Sequence, residues 1–310
     1  MSLFNSFKNS TNQLVGSIEG YRITIKREDL IHPVVSGNKF RKLKYNFEAY
    51  SEMKNAEVLS FGGAFSNHLA AMAQAGNAYS IPTIGVVRGE EWQNKIEESS
   101  TLEFCVKQGM QLVFVSRNEY REKEKALPIQ MLLKDKKTLQ LLPEGGTNAL
   151  AVKGCEEILT ESDREFDVVC TCVGTGGTVA GIIQSSGPHQ HIIGFNALNN
   201  SSVEAAISEY TTKTNWILNS EYTLGGYAKV NPLLIQFMND FYQQYQIPLD
   251  PIYTGKMLFG IFDLIKKQKW LWGKNVLVIH TGGLQGVKPM NVLLQKKGFL
   301  PLNYGEDLPY

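Results

Sequence analysis

The chain has 310 residues, with 31 Lys and Arg against 30 Asp and Glu for a formal charge of +1, and 43% of its residues are hydrophobic. That balance supplies no long-range field for nucleic acid or an anionic membrane, so the expected partners are small molecules. No apolar run approaches the roughly 20 residues of a membrane helix, and Met1 to Glu19 lacks the basic and apolar regions of a signal peptide, which makes the cytoplasm the expected compartment.

In chain order, the first helix is expected from Phe40 to Lys54, where Leu43, Phe47 and Tyr50 recur at i, i+4 and i+7. Lys39 stands at its mouth. From Glu57 onward short apolar runs alternate with amphipathic stretches: Val58 to Phe61 then Ser66 to Ala78, Thr83 to Val87 then Leu102 to Gln108, then Leu112 to Val115. Further strand-like runs lie at Leu139 to Leu142, Asp167 to Val173, His191 to Asn196 and Asn275 to His280. This alternation predicts an α/β fold with parallel strands flanked by helices, whose ligand sites lie at the carboxyl ends of the strands. The polar stretch Asn199 to Asn219 reads either as a lid or as a surface excursion. Cys105, Cys155, Cys170 and Cys172 are too few and too irregular for a disulfide framework, and no His or Cys near the Cys170/Cys172 pair completes a metal set. No metal is expected.

The chemistry concentrates at glycine turns. In Ser36-Gly37-Asn38-Lys39-Phe40-Arg41-Lys42 a lysine follows a residue that permits close backbone approach, and a neutral amine there can form an imine with an aldehyde. By itself this basic tract also fits a solvated helix face. The run Gly174-Thr175-Gly176-Gly177-Thr178 closes a strand and opens a helix, a phosphate cradle of backbone amides and hydroxyls. A dinucleotide fingerprint has similar spacing, but where it needs an acidic residue for the ribose the chain reads Ile193 to Ala197. A lysine and a phosphate cradle together point to pyridoxal phosphate. The turn Gly62-Gly63-Ala64-Phe65-Ser66-Asn67-His68 offers a capped helix start to a carboxylate, as on an amino acid. Tyr253-Thr254-Gly255 and His280-Thr281-Gly282-Gly283 each set a hydroxyl at an element end. A lone histidine such as His280 reads as structural.

Together these segments, from about Ile25 to Gly283, resemble the pyridoxal-phosphate enzymes that include 1-aminocyclopropane-1-carboxylate deaminase and D-cysteine desulfhydrase. The resemblance implies the two-lobed tryptophan-synthase-β-like fold (fold type II), with residues 1–47 and 148–310 as a large cofactor-binding domain and 48–147 as a smaller α/β domain. It implies a homodimer. Lys39 matches the lysine that holds the cofactor covalently, with Ser36 where the family has glycine, and Lys42 matches a phosphate-facing lysine. Asn67 matches the residue beside the cofactor's phenolic oxygen. Ser66 matches a substrate-carboxylate contact, in the turn that includes His68. Gly174, Thr175, Gly176, Gly177 and Thr178 match the phosphate cradle, and Tyr227 and Tyr253 match two tyrosines over the cofactor ring. The family's deaminases carry glutamate and leucine where this chain has Thr254 and Thr281; its desulfhydrases carry threonine at both. The resemblance therefore leans to β-elimination from D-cysteine, giving pyruvate, ammonia and sulfide. Ring-opening deamination to 2-oxobutyrate and ammonia is the alternative, and a cofactor- or nucleotide-binding protein without turnover is the non-enzymatic one.

Overall fold

The computed structural model describes residues 3–5, 8–198 and 202–305. Its strands are β1 (Asn12–Ile18), β2 (Tyr21–Lys26), β3 (Glu57–Gly62), β4 (Thr83–Arg88), β5 (Gln111–Val115), β6 (Leu139–Leu141), β7 (Val168–Val173), β8 (His191–Asn196), β9 (Trp216–Asn219) and β10 (Asn275–Ile279). Its α-helices are α1 (Asn38–Ser51), α2 (Asn67–Tyr79), α3 (Ser100–Lys107), α4 (Arg117–Glu122), α5 (Leu127–Asp135), α6 (Ala149–Glu156), α7 (Gly177–Ser185), α8 (Val203–Ser208), α9 (Pro232–Tyr245), α10 (Thr254–Lys266) and α11 (Val287–Lys296).

Among the described residues the strands form two sheets, ordered β1-β2-β10-β7-β8-β9 and β5-β4-β3-β6. All pairings are parallel except β1 with β2. Strand β7 shows how both faces are filled. Val168, Cys170 and Cys172 join a core built from α9, α10 and α11, whereas Val169 and Val173 join one built from α6, α7 and α8. The period of two sends alternate side chains to opposite faces, and a parallel strand covered on both sides reads as one continuous apolar run. The smaller sheet is sandwiched likewise: Val58 and Val87 pack with α1, α2 and α3, while Leu59, Phe61 and Val86 pack with α4 and α5. The expected i, i+4, i+7 stripe of α1 is the buried one, since Leu43, Phe47 and Tyr50 all lie in the core.

The antiparallel hairpin β1–β2 was not expected from the chain's periodicity. Its turn places Glu19 at φ 49° and Gly20 at φ 82°, the two positive angles of a tight hairpin whose twist suits the flanking strands. Edge strand β1 is only partly covered and carries a register shift near Gly16, so it lacks the buried run that marks the inner strands. The polar stretch 199–219 also resolves differently. Residues 199–201 lie outside the described residues, and the remainder supplies α8 and edge strand β9. Helix α8 packs on the glycine loop: a Cβ on Gly176 would stand 3.0 Å from Ile207 Cγ1 and 3.6 Å from Val203 Cγ2. No described helix is long and apolar enough to cross a membrane.

Candidate active site

The carboxyl ends of β3, β4, β7 and β10, with the loop after β6, converge on a cavity of about 430 Å³. Its walls include Lys39, Lys42, Ser66, Asn67, His68, Gly174, Thr175, Gly176, Thr178, Tyr227, Tyr253 and Thr281, residues drawn from both sheets. Gly177 stands one layer behind, where a Cβ would meet Thr147 Oγ1 at 2.9 Å and Lys42 Cε at 3.3 Å. Thr254 lies off the cavity wall. It is fully buried, and its hydroxyl donates to Asp250 Oδ2 at 2.8 Å while accepting from the Asp250 amide at 2.8 Å.

Two lysines of α1 define one side. Gly37 precedes the helix at φ 57°, and a Cβ there would overlap the Thr281 carbonyl oxygen at 2.0 Å, so only glycine lets the helix start touch the end of β10. This close approach sets Lys39 beside Thr281. Burial lowers the Lys39 pKa to about 8, against the nearby Cys155 and Asp250, which raise it. Its Nζ donates to Asn38 Oδ1 at 3.3 Å, and Asn38 Nδ2 donates to Thr178 Oγ1 at 2.9 Å, tying the lysine's helix to the glycine loop. One turn on, Lys42 is 2% exposed and donates to Gly145 O at 2.9 Å, Thr147 Oγ1 at 2.8 Å and Thr175 Oγ1 at 3.3 Å. Burial, then repulsion from Lys39, lowers its pKa to about 7. An ammonium short of negative charge in a buried place is poised for an anion. The solvated-face reading of this tract does not hold, because Arg41 is also buried and paired to Glu28 through two bonds of 2.9 Å.

The opposite side is the start of α2. Ser66 caps the helix, its Oγ accepting from the Leu69 amide at 3.3 Å. The first amides of such a helix have no acceptor within it and meet a carboxylate favourably. His68 Nε2 lies 2.7 Å from Ser60 Oγ, and burial with the fields of Lys39 and Lys42 pushes its pKa well below the ordinary value, so the ring is neutral. Three buried polar atoms of the cavity wall, Asn67 Oδ1, His68 Nδ1 and Gln285 Nε2, have no hydrogen-bond partner among the described residues. Orphaned polar groups at one wall are where a polar ligand is accommodated. Tyr227 and Tyr253 line the cavity; burial raises the Tyr253 phenol pKa, and that of Tyr227, which is 46% exposed, is raised by partial burial.

Sequence reasoning missed several residues of the site, some on the wall and some, such as Thr147, behind it. Gly145 and Thr147 serve Lys42, and the run Glu144-Gly145-Gly146-Thr147 after β6 was a readable third glycine-threonine turn, with Gly145 at φ 70° and Gly146 at φ 72°. Asp250 accepts from the amides of Ile252, Tyr253 and Thr254 at 2.8 to 2.9 Å, and burial raises its pKa in spite of them. Arg88 and Gln285 carried no sequence signal. His280 is structural: its Nδ1 accepts from the Gly282 amide at 3.2 Å, so the Nε2, 2.7 Å from Pro248 O, holds the proton.

This wall fits pyridoxal phosphate through a partly desolvated lysine, a cradle that a Cβ at Gly177 would fill, and an unpartnered Asn67 amide. The family model described as "Pyridoxal-phosphate dependent enzyme" matches residues 12–282. A Thermotoga maritima protein provisionally named 1-aminocyclopropane-1-carboxylate deaminase is 29% identical, over 86% of this chain and 90% of its own. The mitochondrial bifunctional D-cysteine desulfhydrase/1-aminocyclopropane-1-carboxylate deaminase of Arabidopsis thaliana is 28% identical, over 88% and 75%. The crystal structure of an ACC deaminase homologue superposes with a TM-score of 0.76 at 24% identity, covering 93% of this chain and 94% of its own, a likeness of fold.

Proposed function

Because the chain belongs to the pyridoxal-phosphate dependent enzymes, we propose that it is a deaminating lyase of small amino acids that carries out D-cysteine-type β-elimination to pyruvate, ammonia and sulfide. The observation that carries this reading is the placement of Lys39 and Thr281 against the capped start of α2 across one cavity. Pyridoxal phosphate supplies the electron sink that stabilises negative charge at the substrate's α-carbon. Lys39, with its pKa lowered to about 8, would hold the cofactor's aldehyde and, once released, take the α-proton. Lys42, with the cradle of Gly174, Thr175, Gly176, Gly177 and Thr178, would hold the phosphate, with Thr147 sharing the load. Asn67 would meet the phenolic oxygen, and Ser66, Asn67 and His68 the substrate carboxylate. Tyr253 and Tyr227 would orient the substrate and move a proton to the leaving group. A hydroxyl at Thr281 suffices near the ring nitrogen for ordinary elimination, and Thr254 acts indirectly by holding Asp250.

Ring-opening deamination of 1-aminocyclopropane-1-carboxylate is the second reading, favoured by the names of the relatives. The same reading divides the chain into residues 1–47 with 148–310 and residues 48–147, and expects a cytoplasmic homodimer. Cofactor-loaded protein is expected to release pyruvate from D-cysteine. Release of 2-oxobutyrate from the cyclopropane with no pyruvate from D-cysteine replaces the first reading by the second, and no ketoacid from either overturns both.

A further inference from the structure

Arg88 ends β4, next to Gly62 and Gly63 of the carboxylate-binding turn, since Gly62 pairs with Val87 in register. It lines both the cavity and a wider vestibule of about 1150 Å³ outside it. A Cβ on Gly63 would lie 3.7 Å from Arg88 Nη2, and the guanidinium sits 5.6 Å from the Tyr120 ring centroid. The other vestibule cations are engaged. Arg117 pairs with Glu91 at 2.7 Å, Lys123 with Glu144 at 2.9 Å, and Arg121 donates to Asn118 Oδ1 at 3.2 Å. Among the described residues Arg88, an exposed side chain, has no carboxylate or hydrogen-bond partner, and the Tyr120 ring is what its guanidinium faces.

An aromatic face orients a guanidinium without neutralising it, and a planar fork of donors suits an oxyanion. The cavity already offers separate places for two anions: the start of α2 for an α-carboxylate, and the Lys42 side for a phosphate. Arg88 adds a third cationic position, beside Gly63 of the first and on the wall that the cavity shares with the vestibule. The geometry points to a substrate class: an α-amino acid whose β-substituent itself carries an anionic group, received by Arg88. For its amino-acid part this rests on the lyase reading above. A phosphate ester and a carboxylate share the chemistry that Arg88 recognises, and the test separates them.

The cofactor-loaded enzyme is rapidly mixed with O-phosphoserine, aspartate and serine, in both enantiomers, and dissociation constants are taken from the concentration dependence of the first absorbance change, before product forms. The anionic ligands are expected to bind at least tenfold more tightly than serine, and the ratio to fall to about one in Arg88→Gln. Arg117→Gln, whose guanidinium is already paired, is expected to keep the wild-type ratio. An advantage confined to O-phosphoserine assigns the phosphate ester, and one shared with aspartate assigns oxyanions in general; both support the inference. Equal binding of all three ligands by the wild type overturns it. So does an Arg88→Gln variant that keeps the advantage, or one that weakens serine as much as O-phosphoserine, which would make Arg88 a holder of the α-carboxylate. Pyruvate release from D-cysteine on the same preparations judges the lyase reading separately, because the binding ratio does not depend on turnover.

Discussion

Lys39 and Lys42 lie one helical turn apart, and burial treats them alike, yet their partners set different tasks. Lys42 has three oxygen acceptors and a repelling neighbour, the surroundings of a group waiting for an anion, while Lys39 has a single long contact to Asn38. Only a neutral amine attacks an aldehyde. With Lys39 lowered to about 8, loading of cofactor-free protein is expected to speed up about tenfold per pH unit below 8 and to level off above it. Stopped-flow absorbance checks this, and Lys39→Ala should abolish the absorbance band of the covalently held cofactor; a rate flat from pH 6 to 10 would sink the argument. At this scale the sequence was legible where a residue type sits in a glycine turn, as for Lys39, Ser66, Asn67 and Thr281. Arg88, Asp250 and Gln285 were not legible, because nothing local marks a strand-end arginine, an aspartate before proline or a glutamine one leucine past a glycine pair as lining a cavity. Thr254 shows the converse: its neighbours suggested the cofactor, but its hydroxyl meets Asp250.

The elements place these groups by touching backbone to backbone. A Cβ on Gly154 would stand 1.9 Å from Arg41 O, and one on Gly181 2.6 Å from Val152 O, so α6 lies directly against α1 on one side and α7 on the other. The two site helices are thereby held at one spacing. The loop before α9 is held differently. Leu224, Gly225, Gly226 and Ala228 all have positive φ, which costs the non-glycine residues energy. Lys256, buried on α10, donates to Thr223 O at 2.8 Å and Gly226 O at 2.7 Å and so pins the loop that carries Tyr227. Helix α10 begins one residue after Tyr253, which links the two tyrosines mechanically. Lys256→Met is expected to lose about 2 kcal/mol of stability and to raise KM more than it lowers kcat, measured by denaturant unfolding and steady-state kinetics. Unchanged kinetics in a stably folded variant would leave Lys256 without a part in placing Tyr227.

For the whole molecule the buried lysines imply a stability that depends on pH. Lys39 and Lys256 are lowered to about 8 and Lys42 to about 7, while in the unfolded chain all three keep their protons to about 10.4. Between pH 7 and about 8.5 the unfolded state therefore binds more protons, and stability rises with pH. Above about 9 the sign turns, because burial holds Cys155 at about 11, Cys105 at about 12 and the Cys170 and Cys172 thiols well above the ordinary range, so that four unfolded thiols ionise while the three folded lysines are already neutral. The melting temperature of cofactor-free protein is expected to climb from pH 7 to 8.5 and then fall, with a flatter rise once phosphate holds Lys42 charged. A melting temperature that falls across pH 7 to 8.5 would refute the lysine assignments. The sequence by itself determined the α/β class, the parallel inner strands and the glycine turns at their ends, because strand periodicity, continuous burial and turn chemistry are local properties of the chain. The tertiary structure alone decided the order of the strands within the two sheets, the antiparallel edge hairpin and the further side chains, such as Arg88, Asp250 and Gln285, that line the cavity. Those outcomes depend on contacts between segments far apart in sequence, such as Gly37 against Thr281 and Lys42 against Thr147 and Thr175, and no local pattern encodes them.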